Sequence, residues 1–236
     1  MIVGVLAVGA QDMIDPNGYM QFLRSYYDDL YSKNPLNLRN KKSNDAIAER
    51  LEQLMLESKP KSALDIGCGQ GDLVVFLAKN GIASHGIDLA ANPLWDSVPP
   101  DARDNASFSA GSFLDAPIRG QYDLIIDSGC FHHQHPDVRI AYLTKIAGLL
   151  RPETGVFLLS IFDEAADLRS VPVKNDTGTQ FMTDGRLALM ASGAVITDIL
   201  RRVGLVVRDV RPVVKDDGTP YTLVVEAVSP ARGARS

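Results

Sequence analysis

From Pro16 to Tyr31 the residues Tyr19, Phe22, Leu23, Tyr26, Tyr27 and Leu30 recur at spacings of three and four, which predicts an amphipathic helix with an aromatic stripe. Pro35 to Asn40 breaks it as a loop. A second helix, Asp45 to Glu57, follows with Ile47, Leu51, Leu54 and Met55 inward, capped by Ser43 or Asn44. Short apolar runs then alternate with helical periods: strand Ser62 to Gly67, helix Asp72 to Asn80 and strand Ala83 to Asp88 form one parallel unit. Ser107 to Asp115 reads as a third strand and its exit, and Tyr122 to Asp127 as a central fourth strand. Asp137 to Leu150 reads as a helix with Ile140, Tyr142, Leu143, Ile146, Leu149 and Leu150 inward, and Gly155 to Phe162 as a fifth strand. Asp163 to Asp184 is a long polar insertion of the kind that builds walls around a site, and Thr183 or Asp184 is expected to start a helical turn. Ile196 to Val203 is a helix ended by Gly204, and Leu205 to Val210 and Tyr221 to Val228 are strands around the turn signal Asp216 to Pro220. Strands alternating with helices imply a doubly wound α/β sheet.

Composition narrows the class. With 236 residues, 45% hydrophobic, and a net charge of -5, the chain suits one domain with a full core. The acidic balance argues against a dedicated nucleic-acid binder, and the cluster Arg39, Lys41 and Lys42 reads as solvated surface. Two cysteines, Cys68 and Cys130, make no disulfide framework and fit a reducing cytoplasm. Met1 to Ala10 is apolar but has no basic flank and is far shorter than the roughly 20 residues of a membrane span, so neither a signal peptide nor a membrane helix is expected. An upstream start or a small added strand explains that segment equally well.

The candidate chemistry centres on the first strand and its turn, Ala63 to Leu73. Gly67, Gly69 and Gly71 give G-x-G-x-G, and glycines let the backbone come close to a ligand. The third glycine of the dinucleotide fingerprint would fall at Asp72, where a pyrophosphate would meet a carboxylate. Asp88 closes the next strand about 20 residues on, where an acid accepts both hydroxyls of a ribose. A ribose is therefore expected and a diphosphate is not. The loop Ser128 to Pro136 leaves the carboxyl end of the fourth strand and is expected to face the ligand. It holds three of the four histidines, but adjacent side chains diverge and no second ligand pair is near, so no metal is expected. His132 or His133 is a candidate general base, the bland alternative being a histidine that satisfies loop carbonyls. Trp95, the only tryptophan, either packs at the core edge or covers a ligand base.

Asp65, the three glycines and Asp88, written D-I-G-C-G-Q-G with G-I-D following, resemble the S-adenosylmethionine site of class I methyltransferases, over about Lys61 to Phe162. The resemblance implies a Rossmann-like, doubly wound, seven-stranded sheet, mainly parallel with an antiparallel edge strand. It implies an N-terminal helical lid over residues 1–60 and a class I methyltransferase domain over 61–230; the terminal tail from 231 is expected to be disordered. It places the cofactor against Asp65, Gly67, Cys68, Gly69, Gly71, Asp88, Leu89, Ser112, Phe113 and Asp127. Family members often carry an acid where this chain has Ser112, so a serine hydroxyl, the Phe113 amide or nearby Asp115 is left for the adenine. Tyr26 and Tyr27 of the lid, with His132, are the residues expected to touch substrate.

Cys130 sits where cytosine C5 methyltransferases place a nucleophile, but the Pro-Cys pair is missing, as is the N6-adenine signature. The run D-S-G-C-F-H-H-Q-H-P, with L-L-R-P-E-T-G-V-F-L-L-S-I-F after it, looks like the thiopurine and halide/thiol methyltransferase branch, which acts on small acceptors. The expectation is methyl transfer to an O, N or S nucleophile of a small metabolite, with protein ranked second and nucleic acid last. The alternative is a protein that binds the cofactor or its demethylated product without transferring methyl.

Overall fold

The computed structural model describes residues 15–36, 41–168, 170–172 and 178–230. The apolar start, the loop at 37–40 with Arg39, part of the insertion at 173–177 and the tail from 231 lie outside the described residues.

Helix α1 runs Pro16–Lys33, with Asp15 accepting from the Gly18 amide at 3.0 Å and proline in the first turn, both favourable at a helix start. Helix α2 spans Lys41–Ser58, starting earlier than its cap signals implied. Ser43 and Asn44 lie inside it and bond tertiary partners instead of capping: the Ser43 hydroxyl meets Thr222 at 3.0 Å, and Asn44 Oδ1 accepts from Ser128. Next come β1 (Ser62–Ile66), α3 (Asp72–Lys79), β2 (Ala83–Asp88), β3 (Ala106–Ala110) and β4 (Leu124–Ser128). Tyr122 falls outside β4 and bridges only to Leu150. Two short turns of 3-10 helix, Phe131–His133 and Pro136–Val138, precede α4 (Arg139–Leu149) and β5 (Val156–Asp163). The chain continues with β6 (Val171–Pro172), β7 (Thr179–Phe181), β8 (Leu187–Ala191), α5 (Gly193–Arg202), β9 (Val206–Val214) and β10 (Pro220–Val228).

Seven strands form the main sheet in the order β3-β2-β1-β4-β5-β10-β9, with β10 antiparallel to both of its neighbours. Three more are added at one end of β5. There β8 pairs with Phe162 and Asp163, beyond the last partner of β4, and carries β7 and β6 as an antiparallel extension. Successive strand residues alternate between the two faces. Ile125, Phe157 and Leu159 pack toward α4 and α5, while Leu124, Ile126 and Leu158 pack toward α2 and α3.

Two further expectations fail here. Ile140, assigned inward, is 39% exposed, because the core face of α4 is centred on Tyr142, Leu143, Ile146 and Leu149 and Ile140 lies off it. Thr183 and Asp184 start no helical turn: they form the tight turn between β7 and β8, with Gly185 N bonded to Met182 O. Helix α1 lies over this extension, burying Tyr19 and Leu23 against Leu187.

Candidate functional site

At the end of β1 the chain must reverse within a few residues into α3, and Gly67 (φ +74°) and Gly71 (φ +90°) adopt backbone that side chains disfavour. A Cβ on Gly67 would sit 2.6 Å from the Cys130 Cβ, and one on Gly71 2.6 Å from the Phe108 ring. The space that glycine leaves at these two positions is thus filled by the protein itself. Trp95 stacks on Phe108 at 5.1 Å and donates its indole N–H to the Gly69 carbonyl at 2.9 Å, so it braces the turn, as the packing alternative had it.

Asp88 is 6% exposed and organises the far side of the turn. Its Oδ2 accepts from the Gly69 amide at 2.8 Å and from the Tyr31 hydroxyl at 3.1 Å, and its Oδ1 from the Ala90 amide at 3.3 Å. Burial raises its pKa, against these donors.

Two recesses meet at Gly67 and Ser128. A cleft of about 650 Å³ runs along Asp88, Leu89, Ser112 and Phe113, and reaches Cys130 and His133. A second recess of about 500 Å³ lies over the glycine turn, with Asp65, Cys68, Gly69 and Tyr31 in its wall. The site residues named for Asp65, Gly67, Cys68, Gly69, Asp88, Leu89, Ser112 and Phe113 therefore border one recess or the other. Gly71 and Asp127 border neither. Asp127 is fully buried and accepts from the Cys130 amide at 2.8 Å, the Phe131 amide at 3.0 Å and the Tyr142 hydroxyl at 2.6 Å. These bonds shape the loop after β4, and burial pushes the Asp127 carboxyl up to about 6. Asp65, 3% exposed, is pushed up to about 8, first by burial and then by the charges of Asp127, Asp88 and Asp72. Such a carboxylate is stabilised only by a cation or by donors.

The histidine assignments are corrected by packing. His132 does not line the cleft: its ring is buried 4.0 Å from that of Phe162, beside the Ser160 backbone, with neither nitrogen at bonding geometry to a partner. Burial, followed by the adjacent His133, holds its pKa well below the usual value. His133 does line the cleft, but both of its nitrogens are committed. Nδ1 lies 2.5 Å from the Leu187 carbonyl and donates to it, and Nε2 accepts from the Arg186 guanidinium at 2.9 Å. Burial and the Arg186 charge lower its pKa to about 3. Neither ring presents a free lone pair to the cleft.

Tyr26 and Tyr27 separate. Tyr27 borders the cleft and accepts from Arg186 at 3.0 Å, whereas Tyr26 lies outside it and donates to Asp184 at 3.1 Å. Two residues that the sequence reading missed connect these groups. Tyr31 continues the aromatic stripe four positions after Tyr27, and the helical period alone would have placed it on the same face. Arg186 ties Asp184, Tyr27 and His133 together and so docks α1 on the loop after β4. It lies where the sequence reading expected a helical turn to begin, just before the unread strand β8.

With this geometry in place, the comparisons with known proteins become informative. The "Methyltransferase domain" family matches residues 39–210. A segment of 109 residues is 35% identical to norajmaline N-methyltransferase of Rauvolfia serpentina, covering 43% of this chain and 36% of that protein. A segment of 106 residues is 33% identical to ribosomal RNA small subunit methyltransferase C of Alcanivorax borkumensis, covering 43% of this chain and 33% of that protein. The matched segments thus span about a third of these curated relatives. Among solved structures, 1,6-didemethyltoxoflavin-N1-methyltransferase of Burkholderia thailandensis, with its substrate and S-adenosylhomocysteine bound, aligns at a TM-score of 0.73 and 23% identity, over 92% of this chain and 91% of that one. A structure titled as the DhpI complex with S-adenosylhomocysteine aligns at 0.65 and 19%, over 92% and 99%. With the glycine turn, the acid that closes β2 and the sheet order beside a family match over most of its length, the chain belongs to the methyltransferase domain family.

Proposed function

We propose that the protein is an S-adenosylmethionine-dependent methyltransferase acting on a small molecule. The observation that carries this reading is the pair of recesses meeting at Gly67, one bordered by Asp88 and the other by the buried carboxylate of Asp65. The residues fit such a cofactor: Asp88 is a ribose acceptor, Leu89, Ser112 and Phe113 line the adenine side, and Asp65 awaits a positive charge. When bound, the cofactor supplies a methyl group made electrophilic by its sulfonium.

The protein's own part is alignment. Tyr27, Cys130 and Gln134 border the cleft beside Ser128, so an acceptor entering there is held against one wall in a water-poor space. No imidazole bordering the cleft is free to take a proton, so the acceptor arrives as a competent nucleophile: an amine or heterocycle nitrogen with its lone pair, or a thiolate. The narrower likeness to thiopurine and halide/thiol methyltransferases, whose acceptors are small, supports the same class. So do the norajmaline named for the plant relative and the 1,6-didemethyltoxoflavin bound in the bacterial structure, whereas the ribosomal RNA relative names a nucleic acid. Calorimetric titration of S-adenosylmethionine tests the reading. No heat and no thermal shift at millimolar cofactor would refute it.

A second reading, binding of the cofactor without methyl transfer, is favoured by that same commitment of His133. Production of S-adenosylhomocysteine by the purified protein in a metabolite extract excludes it.

A further inference from the structure

Gln134, in the loop after β4, borders the cleft of about 650 Å³. Its Nε2 donates to the Cys130 carbonyl at 3.3 Å and to Cys130 Sγ at 3.4 Å. Exchanging the two ends of the amide would set its oxygen against that carbonyl, so the side chain is held in one orientation. Oε1 is thereby left over: it has no partner among the described residues and stays open to solvent. The cleft therefore carries an acceptor whose position is set before any ligand arrives.

Tyr27 of α1 supplies the opposite character. Its oxygen accepts from Arg186 Nη1 at 3.0 Å, and the same Nη1 meets His133 Nε2 at 2.9 Å, which anchors the hydroxyl beside the segment that carries Gln134. Burial, opposed by Arg186, pushes the phenol up to about 12, and Asp88 and Cys130 of the cleft add to the rise. The hydroxyl keeps its proton, and no described residue accepts it. A hydrogen bond received from a guanidinium makes such an O–H the stronger donor. The Arg186 charge is answered by Asp184 at 2.9 Å, and among the described residues that border the cleft only Asp88 carries a charge. One fixed donor, one fixed acceptor and no cation thus face the ligand. A carboxylate or phosphate would find no charge to balance it. An ammonium would leave the Tyr27 hydroxyl unmet.

We infer that Tyr27 and Gln134 set the acceptor specificity by binding the lactam edge of an uncharged, planar heterocycle, its C=O taking the Tyr27 O–H and its N–H giving to Gln134 Oε1. The inference rests on the methyltransferase reading above and narrows its acceptors to neutral nitrogen heterocycles. The edge is separate from the reacting atom, because a lone pair held by Tyr27 is withdrawn from attack. Met20, Leu23 and Phe113 give the cleft apolar walls on which a flat ring packs.

The test titrates three probes into the protein saturated with S-adenosylhomocysteine. Phthalazinone has the lactam edge, N-methylphthalazinone keeps the C=O and loses the N–H, and quinaldate is a flat anion. Calorimetric binding constants are measured for the wild type, Gln134→Leu and Tyr27→Phe, with thermal melting to confirm that each variant is folded. The wild type should bind phthalazinone roughly tenfold more tightly than its N-methyl derivative, and quinaldate more weakly than either. Gln134→Leu should erase that preference by weakening phthalazinone alone. Tyr27→Phe should weaken both lactams by a similar factor, since both keep the C=O. A wild type that does not distinguish the two lactams, a folded Gln134→Leu that keeps the full preference, or quinaldate as the tightest probe would each overturn the inference. Binding of S-adenosylhomocysteine without binding of phthalazinone at millimolar concentration would overturn it as well, leaving the cofactor reading intact. A wild type that binds no S-adenosylhomocysteine would overturn both together.

Discussion

Cofactor binding is expected to expel a proton from Asp65. With its carboxyl at about 8, the group is about nine-tenths protonated at pH 7 in the free protein. A cation brought within contact lowers a carboxyl pKa by about 1–3 units. The bound value then lies between about 7 and 5, and the protein releases between about 0.4 and 0.9 protons per ligand at pH 7. Asp127, at about 6, is already mostly ionised there and adds at most about 0.1. Titration of S-adenosylhomocysteine in phosphate and in Tris, which differ in ionisation enthalpy, reads the proton number directly from the difference in heats. Asp65→Asn should bring that number near zero and weaken binding. The same group governs the stability of the free protein. Its folded pKa lies above the unfolded value of about 4, so the stability it contributes is present below that pH and is lost as pH rises from about 4 to about 8. Asp65→Asn should therefore gain stability relative to the wild type across that window and hold a constant margin above it. Binding heats that are identical in both buffers would refute the reasoning, since no proton would then leave.

Asp88→Ala removes a charge-assisted acceptor worth about 1.5–3 kcal/mol per bond, so S-adenosylmethionine affinity should fall at least about tenfold; parental affinity by calorimetry would place the ribose elsewhere. Gly67→Ala puts a Cβ 2.6 Å from the Cys130 Cβ at a φ of +74°, and left-handed strain with overpacking should cost about 2–5 kcal/mol in denaturant unfolding. A near-neutral Gly67→Ala would mean that the loop after β4 yields more readily than its bonds to Asp127 imply. Because His133 is held neutral with its pKa at about 3, methyl transfer should show no ionisation of His133 between pH 5 and 8. An imidazole-like step in that range that disappears in His133→Asn would restore His133 as a base.

The order of strands and helices through β5 was legible because short apolar runs, glycine stops and the 3.6-residue period are local signals, as at Ser62 to Asp88. The position of Asp88 at the end of β2 was legible for the same reason: its distance from the glycines is fixed by one βαβ unit. Strand β8, Leu187–Ala191, was not, since a five-residue apolar run after an irregular insertion carries no period of its own. The seven-stranded core was implied by the family resemblance, whereas its three-stranded extension depends on the edge that β4 leaves open beside Phe162 and Asp163. Chemistry divided along the same line. The sequence determined that three carboxylates, Asp65, Asp88 and Asp127, lie at strand ends, where they can surround one ligand. Only tertiary packing decided that Asp127 spends its oxygens on a loop, that His133 is locked by Arg186 from more than fifty residues away, and that His132 turns from the cleft toward Phe162. Residue type and spacing fix what a side chain is able to do. Which of its atoms remain free depends on partners that only the folded chain brings within bonding distance.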